Sequence, residues 1–272
     1  MLRTKCAWTA LLLAAAAHAQ SPEATLTIEE VRAALLQEIL PVTLQNCELQ
    51  RFGTTNDGDY LLCGNLSKEI ESGYSYGIGA DDSYGCDVSM RYGVPVHQYD
   101  CFDALRPACS GGNFVFHNEC IGPKTVVEDS RLFDTLQNQI ARNGDEKKRL
   151  IVKLDIEGAE WDSLLAAPDA VLDRIDQMPI EFHRVDSPKT LELVRRLKTK
   201  FYPVALHFNN HACGGADPLP AWAFQVLWVN KRIGKLDQRA PVPAPASPLN
   251  TPDNPHSPDC QLEVATEPEK AG

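Results

Sequence analysis

The hydrophobic positions change period several times along the chain, and each change predicts an element. Ile28, Val31, Leu35 and Ile39 recur at helical spacing up to Pro41, behind a Thr27-Ile-Glu-Glu30 capping box, which predicts an amphipathic helix. Leu49 to Phe52 and Asp59 to Cys63 are short apolar runs around Thr54-Thr-Asn-Asp-Gly58, a hairpin pattern. Tyr74 to Ile78 reads as a buried strand, Ser83 to Arg91 as a helix stopped by Gly93, and Val94 to Tyr99 as a second strand. Cys101 to Pro107 reads as a short helical or turn segment and Phe114 to Glu119 as a third strand. Asp129 to Gly144 predicts a helix with Leu132, Phe133, Leu136 and Ile140 on one face. Leu150 to Ile156 is a strand that opens into a helix at Glu157-Gly158-Ala-Glu160-Trp161, and Met178 to Phe182 is another, ending at His183. Pro188 to Lys200 turns Leu191, Val194 and Leu197 inward as a helix. Tyr202 to Phe208 and Ala223 to Val229 are the last strands. The loop between them carries no helical pattern, so they must pair antiparallel.

Five strands alternating with helical pieces, then an antiparallel pair, predict an α/β fold with a mostly parallel seven-stranded sheet and a C-terminal antiparallel hairpin. The first helix lies within 21–44 and the domain within 45–234. From 235 to 272 prolines accumulate and apolar runs vanish, which predicts a Pro-rich disordered tail that only Cys260 would tie down.

Residues 1–20 stand apart. Arg3 and Lys5 precede an apolar run from Ala7 to Ala17 that ends in Ala-His-Ala, the pattern of a secretory signal peptide; an uncleaved anchor and a mitochondrial presequence are the competing readings. No later run approaches the roughly 20 apolar residues of a membrane helix, so no stable membrane insertion is expected after cleavage. The eight cysteines beyond Cys6 suit disulfides in a secreted, periplasmic or lumenal protein. Proximity favours Cys47 with Cys63 and pairing among Cys86, Cys101, Cys109 and Cys120. The formal charge of −11 becomes two units more negative without Arg3 and Lys5, a surface that repels a phosphate backbone, so no nucleic-acid partner is expected.

Tyr74 to Asp100 carries the candidate chemistry. Gly77 and Gly79 let the backbone turn sharply against a ligand, and Asp100 ends the next strand, where a carboxylate can accept from ribose hydroxyls. Asp82 stands where a dinucleotide fingerprint wants its third glycine, which disfavours NAD or FAD.

Several motifs together resemble the class I S-adenosylmethionine-dependent methyltransferases, in the FkbM-like and methyltransferase-like branch. They are Asn56-Asp-Gly-Asp-Tyr60, Tyr74-Ser-Tyr-Gly-Ile-Gly79, Val96-His-Gln-Tyr-Asp100, His117-Asn118 with Ile121-Gly122, Lys153-Leu-Asp-Ile-Glu-Gly-Ala-Glu-Trp161, Ile180-Glu-Phe-His183 and Phe224 to Asn230. The resemblance spans roughly 45–232 and implies a Rossmann-like sheet with helices on both faces. It implies S-adenosylmethionine as cofactor, Gly77 and Gly79 under its amino-acid moiety, Asp100 on its ribose and Asn118 among its contacts. Asp155 would face the methyl group or substrate. Asp155, Glu157 and His183 are the candidate catalytic residues, with a general base needed only if the acceptor must lose a proton. Against these roles stand ordinary ones: helix N-terminal charge for Glu157 and Glu160, and structural histidines at 183 and 207. Asp155, Glu157 and His183 are also suitable cation ligands, but nothing in their spacing assigns a metal.

The expected function is methyl transfer to a hydroxyl of a small molecule or glycan. The alternative is a secreted, disulfide-stabilised binding protein that keeps the fold without activity. An NAD-dependent oxidoreductase is a third reading, weakened by Asp82.

Overall fold

The computed structural model describes residues 26–103, 105–241, 247–260 and 262. Its centre is a seven-stranded sheet of β1 (Ser72–Tyr76), β2 (Pro95–Tyr99), β3 (Asn113–His117), β4 (Leu150–Asp155), β5 (Ile175–His183), β6 (Phe201–Phe208) and β7 (Ala223–Asn230). They lie in the order β6-β7-β5-β4-β1-β2-β3. The five strands from β3 to β5 pair in parallel, and β7 runs antiparallel to both β5 and β6. The mostly parallel sheet with one reversed strand is therefore as the sequence predicts.

Among the described residues six α-helices accompany the sheet: α1 (Ile28–Ile39), α2 (Ser83–Tyr92), α3 (Leu136–Arg142), α4 (Glu160–Ala166), α5 (Asp169–Leu172) and α6 (Pro188–Lys200). Alternation along a strand sends side chains to both faces of the sheet. In β4, Leu150, Val152 and Leu154 join the apolar cluster that holds α1, α3, α4 and α6, whereas Ile151 joins the cluster that holds Val88 of α2 and the hairpin Leu49–Phe52 with Tyr60–Cys63. The capping box of α1 is formed: Glu30 N–H donates to Thr27 Oγ1 and Thr27 N–H to Glu30 Oε2. This helix belongs to the main core, where Arg32 Nε donates to Val185 O at 2.9 Å and Glu38 pairs with Arg195 and Lys198.

Three expectations are corrected. The helix predicted over Asp129 to Gly144 is half strand: Val126–Glu128 and Arg131–Asp134 form a hairpin, and only Leu136–Arg142 is helical. The hairpin turns on Asp129 and Ser130, both at positive φ (47° and 62°), as a tight two-residue turn requires. Thr135 then caps α3 by accepting from Asn138 N–H. Leu132 and Phe133 satisfied a helical period by coincidence, because two adjacent apolar residues fit either element. Second, of the two readings for 101–107 the helical one fails: the chain bends at Cys101 and Phe102, and no helix occurs among the described residues there. Third, much of the tail predicted to be disordered is docked. Leu236 bridges to Leu44, Asn250 Nδ2 donates to Leu206 O, and Asp253, 2 % exposed, pairs with His207 at 2.8 Å. Polar caps hold this segment, and hydrophobic periodicity does not report them.

All eight cysteines beyond Cys6 are paired: Cys47–Cys63, Cys86–Cys109, Cys101–Cys120 and Cys213–Cys260. Such a set suits an oxidising compartment. Among the described residues no helix is long and apolar enough to cross a membrane; the predicted leader lies outside them.

Candidate functional site

The carboxyl ends of β1, β2 and β4 meet around a cavity of about 420 Å³. Gly77 follows β1 with φ +69°, donates its N–H to Tyr99 O, and has no room for a side chain, because a Cβ there would overlap the carbonyl oxygen of Asp155. Only glycine lets β1 leave the sheet this close to β4. Gly79 N–H donates to Asp100 Oδ2 at 2.9 Å, and Phe102 and Asp103 N–H both donate to Asp100 Oδ1 at 2.9 Å. An ionised carboxylate offers about four acceptor positions. Three are used, which leaves Asp100 one for a ligand hydroxyl.

The rest of the cavity wall is mostly apolar or aromatic. Tyr76 and Tyr99 stack at 4.8 Å between centroids, and Ile121 and Phe133 face them. Phe133 reaches this wall because its segment is a hairpin strand and not part of a helix. The Cys101–Cys120 disulfide lies in the same wall and joins the segments leaving β2 and β3. Asp82, at the position of the absent third glycine, caps α2 by accepting from Gly85 N–H, and also accepts from Ser75 Oγ and Gln98 Nε2. Burial raises its proton affinity against those hydrogen bonds.

Beside this cradle is a charged cluster. Asp155 ends β4, and Glu181 and His183 stand two residues apart on β5, hence on the same face. Asp155 Oδ2 accepts from Tyr60 Oη at 2.8 Å and from Lys153 Nζ at 3.3 Å; Lys153 also donates to Gly77 O at 2.8 Å. Glu181 accepts from Asn209 Nδ2 and Gln225 Nε2. His183 Nδ1 hydrogen-bonds Glu160 Oε1 at 3.0 Å, and Trp161 Nε1 donates to His183 O. Glu160 is completely buried and also accepts from Ile156 and Gly158 N–H, which shapes the loop between β4 and α4.

Burial opposes the charge on His183, but the Glu160 hydrogen bond and charge, followed by the charges of Glu181 and Asp155, raise its proton affinity above the ordinary value. Glu181 also holds its proton more tightly than an ordinary carboxyl, through burial and the charge of Asp155.

Of the residues chosen from sequence, Gly77, Gly79, Asp100, Asp155 and Glu157 line the 420 Å³ cavity. His183 does not; it lines an adjoining cavity of about 270 Å³ with Asp155, Glu157 and Glu181. Asn118 is exposed and lines neither, while its neighbours Glu119, Cys120 and Ile121 line the first. Glu157, at φ +57° with its side chain 81 % exposed, sits at the rim, with its Oε2 4.0 Å from His183. Sequence reasoning missed Glu181, although the two-residue spacing Glu181-Phe-His183 on a strand was a usable signal. Glu160, for which helix-end charge was a competing reading, does stand in the first turn of α4, and its oxygens also hold the loop and the imidazole. For Tyr60, nothing local could have indicated its reach to Asp155. No family model, no curated protein and no solved structure matches the chain.

Proposed function

We propose that the chain is an exported S-adenosylmethionine-dependent methyltransferase that modifies a hydroxyl of a small molecule or glycan. The observation that carries this reading is the pairing of Gly79 N–H with Asp100 at the edge of a 420 Å³ cavity that Asp155 also lines. It is supported by the order β3-β2-β1-β4-β5, the order expected of a Rossmann-like doubly wound sheet, with the cavity beside the β1–β4 boundary where that order reverses. The stacked Tyr76 and Tyr99 with Ile121 and Phe133 provide an apolar wall, and Asp100 keeps an acceptor for a ribose hydroxyl.

Held by Gly77, Gly79 and Asp100, the cofactor would supply a methyl carbon activated by a sulfonium, with the neutral thioether as its leaving group. This chain's residues position the acceptor and exclude water. The proton released by the hydroxyl goes to a carboxylate of the cluster. While the cluster holds no ion, Glu181, whose proton affinity is raised, suits a base near neutrality better than His183, which already holds its proton.

The test is calorimetry of S-adenosylmethionine with the oxidised protein and with Asp100→Asn and Asp100→Ala. Wild type should bind, and both variants should lose at least about tenfold in affinity, one charge-assisted hydrogen bond being worth about 1.5 kcal/mol or more. No binding by wild type, or equal binding by all three, would sink the cofactor reading. Binding without transfer of a labelled methyl to any hydroxyl acceptor would favour a disulfide-stabilised binding protein on the same fold.

A further inference from the structure

We infer that Asp155, Glu181 and His183 form a site for one divalent transition-metal ion. Each of the three residues offers one ligand atom, and these atoms all lie within 4.8 Å of one another. His183 Nε2 is 3.7 Å from the Asp155 oxygen and 3.6 Å from the Glu181 oxygen. Both separations are too long for hydrogen bonds. Ligand atoms held at about 2.0–2.2 Å from a tetrahedral metal stand about 3.3–3.6 Å apart, close to these spacings.

The second observation is how the three side chains are held. His183 is 4 % exposed, yet among the described residues its Nε2 has no hydrogen-bond partner, and it faces the space between the two carboxylates. Among the described residues the hydrogen bonds to the Asp155 carboxylate go to Oδ2, not Oδ1. Each group is fixed from the far side, Asp155 Oδ2 by Tyr60 and Lys153, Glu181 Oε2 by Gln225 and His183 Nδ1 by Glu160, while Glu181 Oε1 also accepts from Asn209 Nδ2 at 2.8 Å and keeps a second lone pair for an ion. Metal ligands are oriented in this way, with the ring nitrogen opposite the metal bound to a carboxylate. Four carboxylates, Asp155, Glu157, Glu160 and Glu181, come within 4.0 Å of the imidazole, an excess of negative charge that a divalent ion offsets. The 270 Å³ cavity gives a fourth coordination position access to a water or a ligand hydroxyl. One imidazole with two carboxylates suits zinc or manganese better than calcium. Glu181, not Glu157, is the second carboxylate, because Glu181 is buried and anchored whereas Glu157 is exposed.

The experiment titrates chelator-treated, oxidised full-length protein with Zn²⁺ against a competing chelator. Wild type should take up one equivalent. Glu181→Gln and His183→Gln should bind at least tenfold more weakly, and Glu157→Gln within about threefold of wild type. No uptake by folded wild type overturns the site, as does wild-type affinity in Glu181→Gln. Should these variants fail to fold, nitrogen-detected imidazole spectra of wild type decide the matter: Zn²⁺ must shift the His183 Nε2 resonance, and an unchanged resonance overturns the site. Neither readout uses S-adenosylmethionine, so the metal site and the cofactor reading stand or fall separately.

Discussion

The two halves of the carboxyl edge are built by different means. Around Gly77, Gly79 and Asp100 the shape is made by backbone: left-handed glycines, three N–H groups converging on one carboxylate, and a disulfide in the wall. Around Asp155, Glu181 and His183 it is made by side chains, each tied at its far end by a partner from another element. The first half should therefore be intolerant of an added methyl group where β1 meets β4, at Gly77. The second should be intolerant of a lost charge.

The strongest challenge to that contrast is Gly77→Ala. A Cβ at φ +69° against the Asp155 carbonyl combines backbone strain with a clash that only strand movement relieves. The expected loss exceeds about 3 kcal/mol in urea unfolding of the oxidised protein. A loss under about 1 kcal/mol would show that β1 and β4 yield to each other and that the cradle is not set by this approach.

Removing the wall's staple comes next. The double substitution Cys101→Ser, Cys120→Ser opens a link of sequence separation 19 and should cost about 3 kcal/mol by the chain-entropy account. Thermal unfolding of the reduced-pair variant beside wild type checks it. An unchanged midpoint would mean that the backbone alone holds the wall.

In the charged half, Glu160→Gln should cost about 2 kcal/mol, since a buried carboxylate loses charge-assisted hydrogen bonds to Ile156, Gly158 and His183. It should also change the pH dependence. His183 binds its proton more tightly folded than unfolded, so that stability is complete below its ordinary value of 6.5 and is lost as pH rises through the higher folded value. Glu181 has the same sign, its share being complete below 4.5 and lost as pH rises. Wild type should thus weaken as pH climbs from mildly acid to alkaline, and Glu160→Gln, lacking the strongest support of the imidazolium, should show a flatter alkaline limb. Urea midpoints measured across about pH 5 to 9 decide this; a steeper limb in the variant contradicts the assignment.

The smallest effect belongs to Gly79→Ala. Its φ is +55°, but a Cβ there meets open space, so only the left-handed cost of about 1 kcal/mol is expected. A loss equal to that of Gly77→Ala would erase the distinction between strain and collision.

Local sequence by itself determined the parts that depend on nearby residues. The α1 capping box, the strand–glycine turn–helix–strand run ending at Asp100, the antiparallel closing pair and the Cys47–Cys63 bridge were all legible, because period, caps and short separations act within a few residues. The tertiary structure decided what depends on which faces meet. Leu132 and Phe133 fit a helix or a strand until pairing with Val126–Glu128 and Cys120–Ile121 chose the strand. Glu157 was the carboxylate that sequence placed with His183, until sheet order and the left-handed turn left it at the rim and put the buried Glu181 beside the imidazole. The tail read as unstructured until Asp253 met His207 and Cys260 met Cys213. Periodicity reports which face of an element is buried, whereas convergence of side chains from β4, β5 and distant loops requires the order of the strands and the closure of the chain between them.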